Sequence, residues 1–408
     1  MARPPVANAA LVVRDGLIQA IGRWEDLRSQ VSGRVVDLGE VVVFPGLVNA
    51  HCHLDYTSMA GQITPSGSFT DWITGINSLK ATWGYADYAR SWLAGARMLI
   101  ESGTTLVGDI EAVPELLPEV WEATPLRVFS FLEMTGVKSR RDPATLLADN
   151  LIRADGLRHP RSLAWLSPHA PYSTTPALLS LAAEAVGARN WRVCTHVAES
   201  AEEYDMFRRG RGPMYSWLER NERDMSDCGG ITPVAHLARQ GLLSERCLAV
   251  HANYLESGDV ELLADRRAHV VHCPRSHAYF GHRSFPYHSL VRAGVNLCLG
   301  TDSLATVLRP RTGTLRLDMR TELRAFRASV TGVSPEQAWR LVTLNGARAL
   351  GVAGRAGELS PGAWADLLIL PFGGRMEDVY EAALHDAGRV RGVMIDGHWA
   401  LAPESEAG

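Results

Sequence analysis

From Phe44 to about Gly351 one theme recurs: a short apolar run, a polar end bearing His or Asp, then an amphipathic stretch. The apolar runs predict strands at Val43–His51, Thr104–Asp109, Arg127–Glu133, Leu163–His169, Arg192–His196, Cys247–His251, Val270–Cys273 and Val295–Gly300. Between them apolar residues recur at helical spacing, as in Tyr88–Glu101, Pro143–Arg153, Pro176–Ala188 and Val260–Arg266. Strands alternating with helices imply an α/β fold with a parallel sheet, and eight such units fit a (β/α)8 TIM-type barrel better than an open sheet. The polar ends decide between the two. His51/His53, His169, His196/Glu199, His251, His272 and Asp302 sit at or just past the C-terminal ends of six of the runs. In a barrel those ends converge on one mouth, whereas an open sheet gathers only the strands beside its switch point.

The two ends of the chain read differently. Leu11–Gly22 alternates apolar and polar positions around Asp15-Gly16, a hairpin signal, and Ala365–Leu370 and Val393–Trp399 have the same character. These segments flank the barrel, so residues 1–43 and 352–408 are expected to form one small β-sandwich satellite domain. Residues 44–351 then form the catalytic barrel.

Composition adds exclusions. The chain has 408 residues with a formal net charge of -4 and no Lys/Arg run, which argues against a nucleic-acid partner. No apolar run approaches the roughly 20 residues that span a bilayer, so no membrane partner is expected. Met1–Ala7 lacks the apolar stretch of a signal peptide, and the expected location is the cytoplasm. The six cysteines are scattered without a CxxC pair, and four lie in apolar runs, which fits buried reduced thiols. Lys80 and Lys138 are the only lysines, which removes lysine from most catalytic roles. A homodimer is compatible with the fold, because barrels often dimerise.

The candidate chemistry begins with Ala50-His51-Cys52-His53 at the end of the first run. Period two points both imidazoles into the barrel and Cys52 away from it. A lone His-x-His pair is a weak signal. His196, in Val193-Cys-Thr-His196-Val-Ala-Glu199, adds a third imidazole, and Asp302, in Leu299-Gly-Thr-Asp302-Ser, adds a carboxylate. Three His, one carboxylate and water match a catalytic metal site with one position open. Each piece has an ordinary structural explanation; their joint placement on the strand ends of one barrel does not. Glu199 falls in the turn beyond its strand, within reach of the water without ligating the metal. His251 is either a further ligand or a hydrogen-bonding partner of the nucleophile.

The set Pro45-Gly-Leu-Val-Asn-Ala-His51-x-His53, Thr195-His196-x-x-Glu199, Val250-His251-Ala, Val271-His272-Cys273-Pro274 and Gly300-Thr301-Asp302-Ser303 resembles the amidohydrolase superfamily. Within it the chain is most similar to the branch of cytosine, guanine, adenosyl-type and triazine deaminases and chlorohydrolases. The resemblance runs over nearly the whole chain, including Gly357-Glu-Leu-Ser-Pro-Gly-Ala-Trp-Ala-Asp366-Leu near the C-terminus. It implies His51, His53, His196 and Asp302 as metal ligands, Glu199 as proton shuttle and His251 as the residue orienting the attacking water. Binuclear relatives carry a carboxylated lysine on the fourth strand, and Leu163–His169 has none. One divalent cation is therefore expected, zinc first, with iron suited by the same ligands.

The resemblance also implies the partner, a small-molecule amino-heterocycle or nucleoside, and the reaction. The cation generates hydroxide, Asp302 accepts the proton, Glu199 protonates a ring nitrogen, and ammonia leaves from the adjacent carbon. For the substrate, Ser167-Pro-His169-Ala-Pro-Tyr172 resembles the fourth-strand motif of purine-nucleoside deaminases, where the His lies near the substrate. Adenosylhomocysteine and methylthioadenosine deaminases usually carry Cys-Pro-x-Ser-Asn on the seventh strand, but here Cys273-Pro-Arg275-Ser276-His277-Ala-Tyr279-Phe280 stands there. That form is more similar to the aminodeoxyfutalosine deaminases of menaquinone biosynthesis, whose nucleoside carries a benzoate. His169, Arg275 and Ser303 are thus the expected substrate contacts, with Arg275 placed to pair with a carboxylate. Rival readings are another deaminase or chlorohydrolase of the branch, acting on adenosine, methylthioadenosine or adenosylhomocysteine, guanine, cytosine or a triazine, and a non-catalytic scaffold or binding protein on the same fold.

Overall fold

The structure is a computed structural model that describes residues 4–30, 32–63, 67–136, 142–309, 313–385 and 389–403. Lys138 and residues 64–66 of the Tyr56–Tyr85 segment, which crosses the barrel mouth, lie outside the described residues.

A hairpin opens the chain: β1 (Ala9–Arg14) and β2 (Leu17–Arg23) pair antiparallel around Asp15-Gly16, both left-handed with φ 52° and 72°. That is the backbone an Asp-Gly hairpin turn requires. β3 (Val41–Pro45) joins β12 (Leu367–Pro371), β13 (Gly392–Ile395) and β14 (His398–Leu401) in a four-stranded antiparallel sheet built from both ends of the chain. Ile18, Ala363, Ala365, Leu367 and Ile369 form the apolar cluster between this sheet and the hairpin.

The eight central strands are β4 (Leu47–Cys52), β5 (Thr104–Glu111), β6 (Arg127–Met134), β7 (Leu163–Pro168), β8 (Val193–Val197), β9 (Cys247–His251), β10 (His269–His272) and β11 (Asn296–Leu299). They are parallel and ordered β4 to β11 in sequence, and helices lie between them. The last strand returns to the first through a parallel bridge between Cys52 and Asp302, with Thr301 N donating to His51 O at 3.0 Å. This is the expected barrel. Val48, Ala50, Leu106, Phe129, Cys194 and Val250 are among the residues filling its interior. A second, larger apolar cluster lies between the strands and the surrounding helices.

Two departures from the sequence reading have physical causes. The run expected as one strand over Val43–His51 is two strands, because the chain passes from the satellite sheet into the barrel at Gly46. Gly46 N donates to Asp366 O, and a Cβ there would lie 2.1 Å from Thr105 Oγ1, so only glycine fits. His272, expected at the mouth, faces outward and stacks on Phe285 with ring centroids 3.8 Å apart; its neighbours Val271 and Cys273 take the inward positions.

Arg127 ties barrel to satellite sheet. Its Nε lies 2.8 Å from Asp366 Oδ2 and its Nη2 2.7 Å from Asp396 Oδ1, while its guanidinium carbon sits 4.0 Å from the Trp364 ring centroid. No helix among the described residues is long and apolar enough to cross a membrane. The six cysteines are free thiols, five buried and Cys228 half-buried.

Candidate active site

β4 delivers two histidines by breaking its own alternation. Val48 and Ala50 face the barrel interior, and a register shift between Asn49 and Cys52 then turns His51 inward as well, with Cys52 on the outer apolar side. A bulge beside a functional site commonly re-aims side chains in this way. Asn49 pins the segment to the last strand: its Nδ2 donates to Thr301 Oγ1 at 2.8 Å and its Oδ1 accepts from Thr301 N at 3.1 Å. His251 and Asp302 leave their strands with left-handed φ of 74° and 53°, as do Ala198 at 50° and Ala252 at 49°. Such conformations cost about 1 kcal/mol or more each for non-glycine residues and are held by the surrounding structure at sites that need them.

His51, His53, His196, His251, Glu199 and Asp302 all meet at this mouth, and all are buried. His196 Nδ1 lies 2.9 Å from the His169 carbonyl, so Nδ1 carries the hydrogen and Nε2 presents a lone pair. His53 Nε2 is 3.3 Å from that atom. Asp302 Oδ1 is 3.8 Å from His51 Nε2 and 3.7 Å from His53 Nε2, and His51 Nε2 has no hydrogen-bond partner. These edges bracket the separation of about 3.4 Å between ligands that each lie about 2.1 Å from a tetrahedral ion. The donor set therefore fits a divalent transition cation, and both His51–His53–Asp302 and His51–His196–His251 converge tightly enough to contribute to holding one.

The second oxygen of Asp302 is held elsewhere. Ser276 Oγ donates to Oδ2 at 2.7 Å and Thr306 Oγ1 donates to it at 3.0 Å, leaving Oδ1 toward the imidazoles. Burial pushes the Asp302 carboxyl up, but His251, His51 and the Ser276 hydroxyl outweigh it and hold the group below its ordinary range. Burial pushes His51 and His53 well down, His196 to about 4, and His251 and His169 to about 3, so the imidazoles are neutral ligands or acceptors. Glu199 is the opposite case. Burial, then Asp302 and Glu203, raise its carboxyl well above the usual range, which favours the protonated form.

Glu203 braces the Glu199 turn. Its carboxylate accepts from Ala198 N at 3.0 Å and Glu199 N at 2.8 Å, while Asn253 Nδ2 donates to Glu199 O at 3.0 Å. Next to it, Glu202 accepts from Phe69 N at 2.7 Å and Thr70 N at 3.2 Å. It thereby caps helix α1 (Phe69–Lys80), which crosses the mouth together with helix α2 (Pro213–Arg220). These helices supply Phe69, Trp72, Ile73 and Trp217 to a cavity of about 480 Å³, whose other wall includes His169, Glu199, His251, Asp302 and Ser303. That volume suits a nucleoside-sized ligand.

Of the three expected substrate contacts, His169 and Ser303 line the cavity. Arg275 does not. Its Nε is bound by Glu322 Oε1, and its backbone N donates to Glu322 Oε2 at 3.0 Å, so the guanidinium is turned into the protein and cannot clamp a substrate carboxylate. Sequence reasoning also passed over residues that do line the cavity. Glu133 lies 3.8 Å from His169 Nε2 and shares the inward parity of Phe129 and Phe131, a signal present in the sequence. Lys80, at the end of α1, donates to the Tyr56 hydroxyl and is the one lysine or arginine among the described lining residues.

The sequence profile of the amidohydrolase family matches residues 42–400. The chain belongs to the amidohydrolase family. This amidohydrolase is an enzyme, a hydrolase acting on carbon–nitrogen bonds. It is 31% identical over 390 residues to a 5-methylthioadenosine/S-adenosylhomocysteine deaminase of Syntrophobacter fumaroxidans, covering 89% of this chain and 80% of that one. An adenosine deaminase of Xanthomonas campestris with bound zinc superposes with a TM-score of 0.83 at 26% identity, covering 98% and 89% of the two chains. The aminofutalosine deaminase of Helicobacter pylori in complex with methylthio-coformycin shares the fold, with a TM-score of 0.84 at 20% identity over 96% and 95% of the chains.

Proposed function

We propose that this amidohydrolase is a metal-dependent hydrolytic deaminase of an adenine-type nucleoside, replacing the C6 amine with oxygen and releasing ammonia. The observation that carries the reading is Glu199, a buried carboxyl with a raised pKa, set beside the imidazole and Asp302 donor set in one nucleoside-sized cavity. The names of the Syntrophobacter relative and the Xanthomonas neighbour support an adenine-type base and zinc.

His51, His53, His196 and Asp302 would hold one divalent cation. When bound, the cation supplies Lewis acidity, bringing the pKa of a water to about 7. Asp302, its carboxylate held in place by Ser276 and Thr306 on Oδ2, takes up the proton of the attacking water. His251 Nε2, neutral and making no hydrogen bond among the described residues, orients that water toward C6. Glu199 delivers its proton to the ring nitrogen beside C6, which makes the carbon electrophilic; the amine then leaves as ammonia with the proton that Asp302 took up, and the hydroxyl proton of the tetrahedral centre returns to Glu199. His169, its Nδ1 fixed by Ser173 Oγ at 2.6 Å, faces the heterocycle, and Ser303 contacts it from the opposite strand end.

Within this class we take 6-aminodeoxyfutalosine as the substrate. Its support is the Arg275-Ser-His-Ala-Tyr-Phe280 segment, an aromatic wall of Phe69, Trp72 and Trp217, and Lys80 as the cation available to a carboxylate in place of Arg275. Ammonia release would be measured with 6-aminodeoxyfutalosine, methylthioadenosine, adenosylhomocysteine, adenosine, guanine, cytosine and a triazine. The nucleoside class fails if free guanine or cytosine is turned over and no nucleoside is. The finer assignment fails if methylthioadenosine outperforms 6-aminodeoxyfutalosine in kcat/KM, or if Lys80→Met leaves the preference between them unchanged.

A further inference from the structure

The barrel has a second recess at its other end. The chain entering β7 to β11 surrounds a bowl of about 620 Å³, on the face opposite the histidines. Arg192 precedes β8, Arg246 precedes β9, and Arg267 precedes β10, so the topology itself gathers their guanidiniums; Arg348 joins them from the helix Leu344–Ala349. Against these four cations the lining offers one carboxylate, Glu245. Glu245 Oε2 lies 2.7 Å from Arg267 Nη2, and its Oε1 lies 3.8 Å from Arg246 Nη1. Arg246 is otherwise aimed by Asn190 Oδ1, which accepts from its Nε at 2.9 Å and its Nη2 at 2.6 Å. The Arg348 guanidinium has no hydrogen-bond or ion-pair partner among the described residues.

Arg192 is the most constrained of the four. It donates to the Glu245 carbonyl, and a Cβ on Gly351 would come within 2.7 Å of its Nε. Its Nη1 lies 3.4 Å from His269 Nε2, and burial with Arg192 nearby holds that imidazole neutral, near pKa 4, so His269 orients the arginine and adds no charge. The chain as a whole is acidic, so four arginines on one carboxylate are a local concentration of positive charge. Guanidiniums in this arrangement match the oxygens of a phosphate group. One side of the bowl is apolar: Trp165, seated edge-on against Phe129 at 5.1 Å, stands beside Leu350 and Val352.

We infer that this bowl binds a phosphate-bearing anion, remote from the barrel mouth and independent of the chemistry there. The charged side takes the phosphates, and Trp165 offers a face to a base when the anion is a nucleotide.

The test is isothermal titration of the full chain with inorganic pyrophosphate, ADP and inorganic phosphate, against chloride at matched ionic strength. The expected result is saturable binding of one pyrophosphate per chain with a Kd of about 1 mM or tighter. Arg267→Ala/Arg348→Ala, which removes two exposed side chains, should weaken it about tenfold or more, while Arg90→Ala on a distant surface should not. ADP tighter than pyrophosphate identifies a nucleotide; equal affinities identify the phosphates alone, and both support the site. Absence of saturable binding, or binding undiminished in the double variant, as chelation at the barrel mouth would give, overturns it.

Discussion

His251 Nε2 lies 3.4 Å from Glu199 Oε1, across two neighbouring strand ends, with both side chains almost wholly buried. An imidazole kept neutral thus adjoins a carboxyl whose pKa burial raises. That combination separates a group that positions water from a group that delivers a proton to the substrate.

Glu199→Gln should preserve the fold and metal content while lowering kcat by about 100-fold or more. The check is steady-state kinetics with metal analysis on the same sample. Undiminished turnover would remove Glu199 from the reaction.

Ser276→Ala should loosen Asp302 by taking away its 2.7 Å donor, leaving Thr306 alone on Oδ2. Partners of this kind are typically worth about 10- to 100-fold in metal affinity or activity. Competition with a chelator of known affinity would read the change; an affinity equal to that of the native chain would contradict the positioning role.

Arg127→Met should destabilise the chain without touching the mouth. It leaves Asp366 buried beside Trp364 with no cation, a loss of about 3–5 kcal/mol for a broken buried pair. Denaturant unfolding measures it, and activity per folded molecule should be retained.

His236 gives a pH dependence away from the mouth. Burial lowers its folded pKa to about 4, against an ordinary 6.5; Asp227, 3.7 Å away, opposes the shift, and Arg223 and Arg239 add to it. The folded state therefore binds fewer protons than the unfolded chain between those values. Stability present above pH 6.5 is lost as pH falls toward 4, with this residue contributing about 2 kcal/mol of the change between pH 7 and pH 5. Thermal unfolding at the two pH values should show a smaller loss for His236→Gln than for the native chain.

The fold was largely legible because β strands and helices impose different apolar periods, and each barrel strand fell within a few residues of its expected place. Gly46 was not legible as a break: the apolar run continues through it, and only Thr105 pressing against it requires glycine. The mouth residues were readable from their strand-end positions, but His272 was not separable from its neighbours without parity, since Val271 and Cys273 already claim the inward side. Glu133 obeys that same parity and could have been found. Arg275 could not, because its partner Glu322 lies 47 residues away and on another helix. Lys80 and Trp72 reach the cavity from α1, which no strand-end pattern describes.

The most direct test is metal reconstitution. Chain stripped by a chelator should release no ammonia from 6-aminodeoxyfutalosine or another adenine nucleoside, and one equivalent of zinc should restore full activity. Deamination by metal-free protein, or a requirement for two equivalents, would contradict the account.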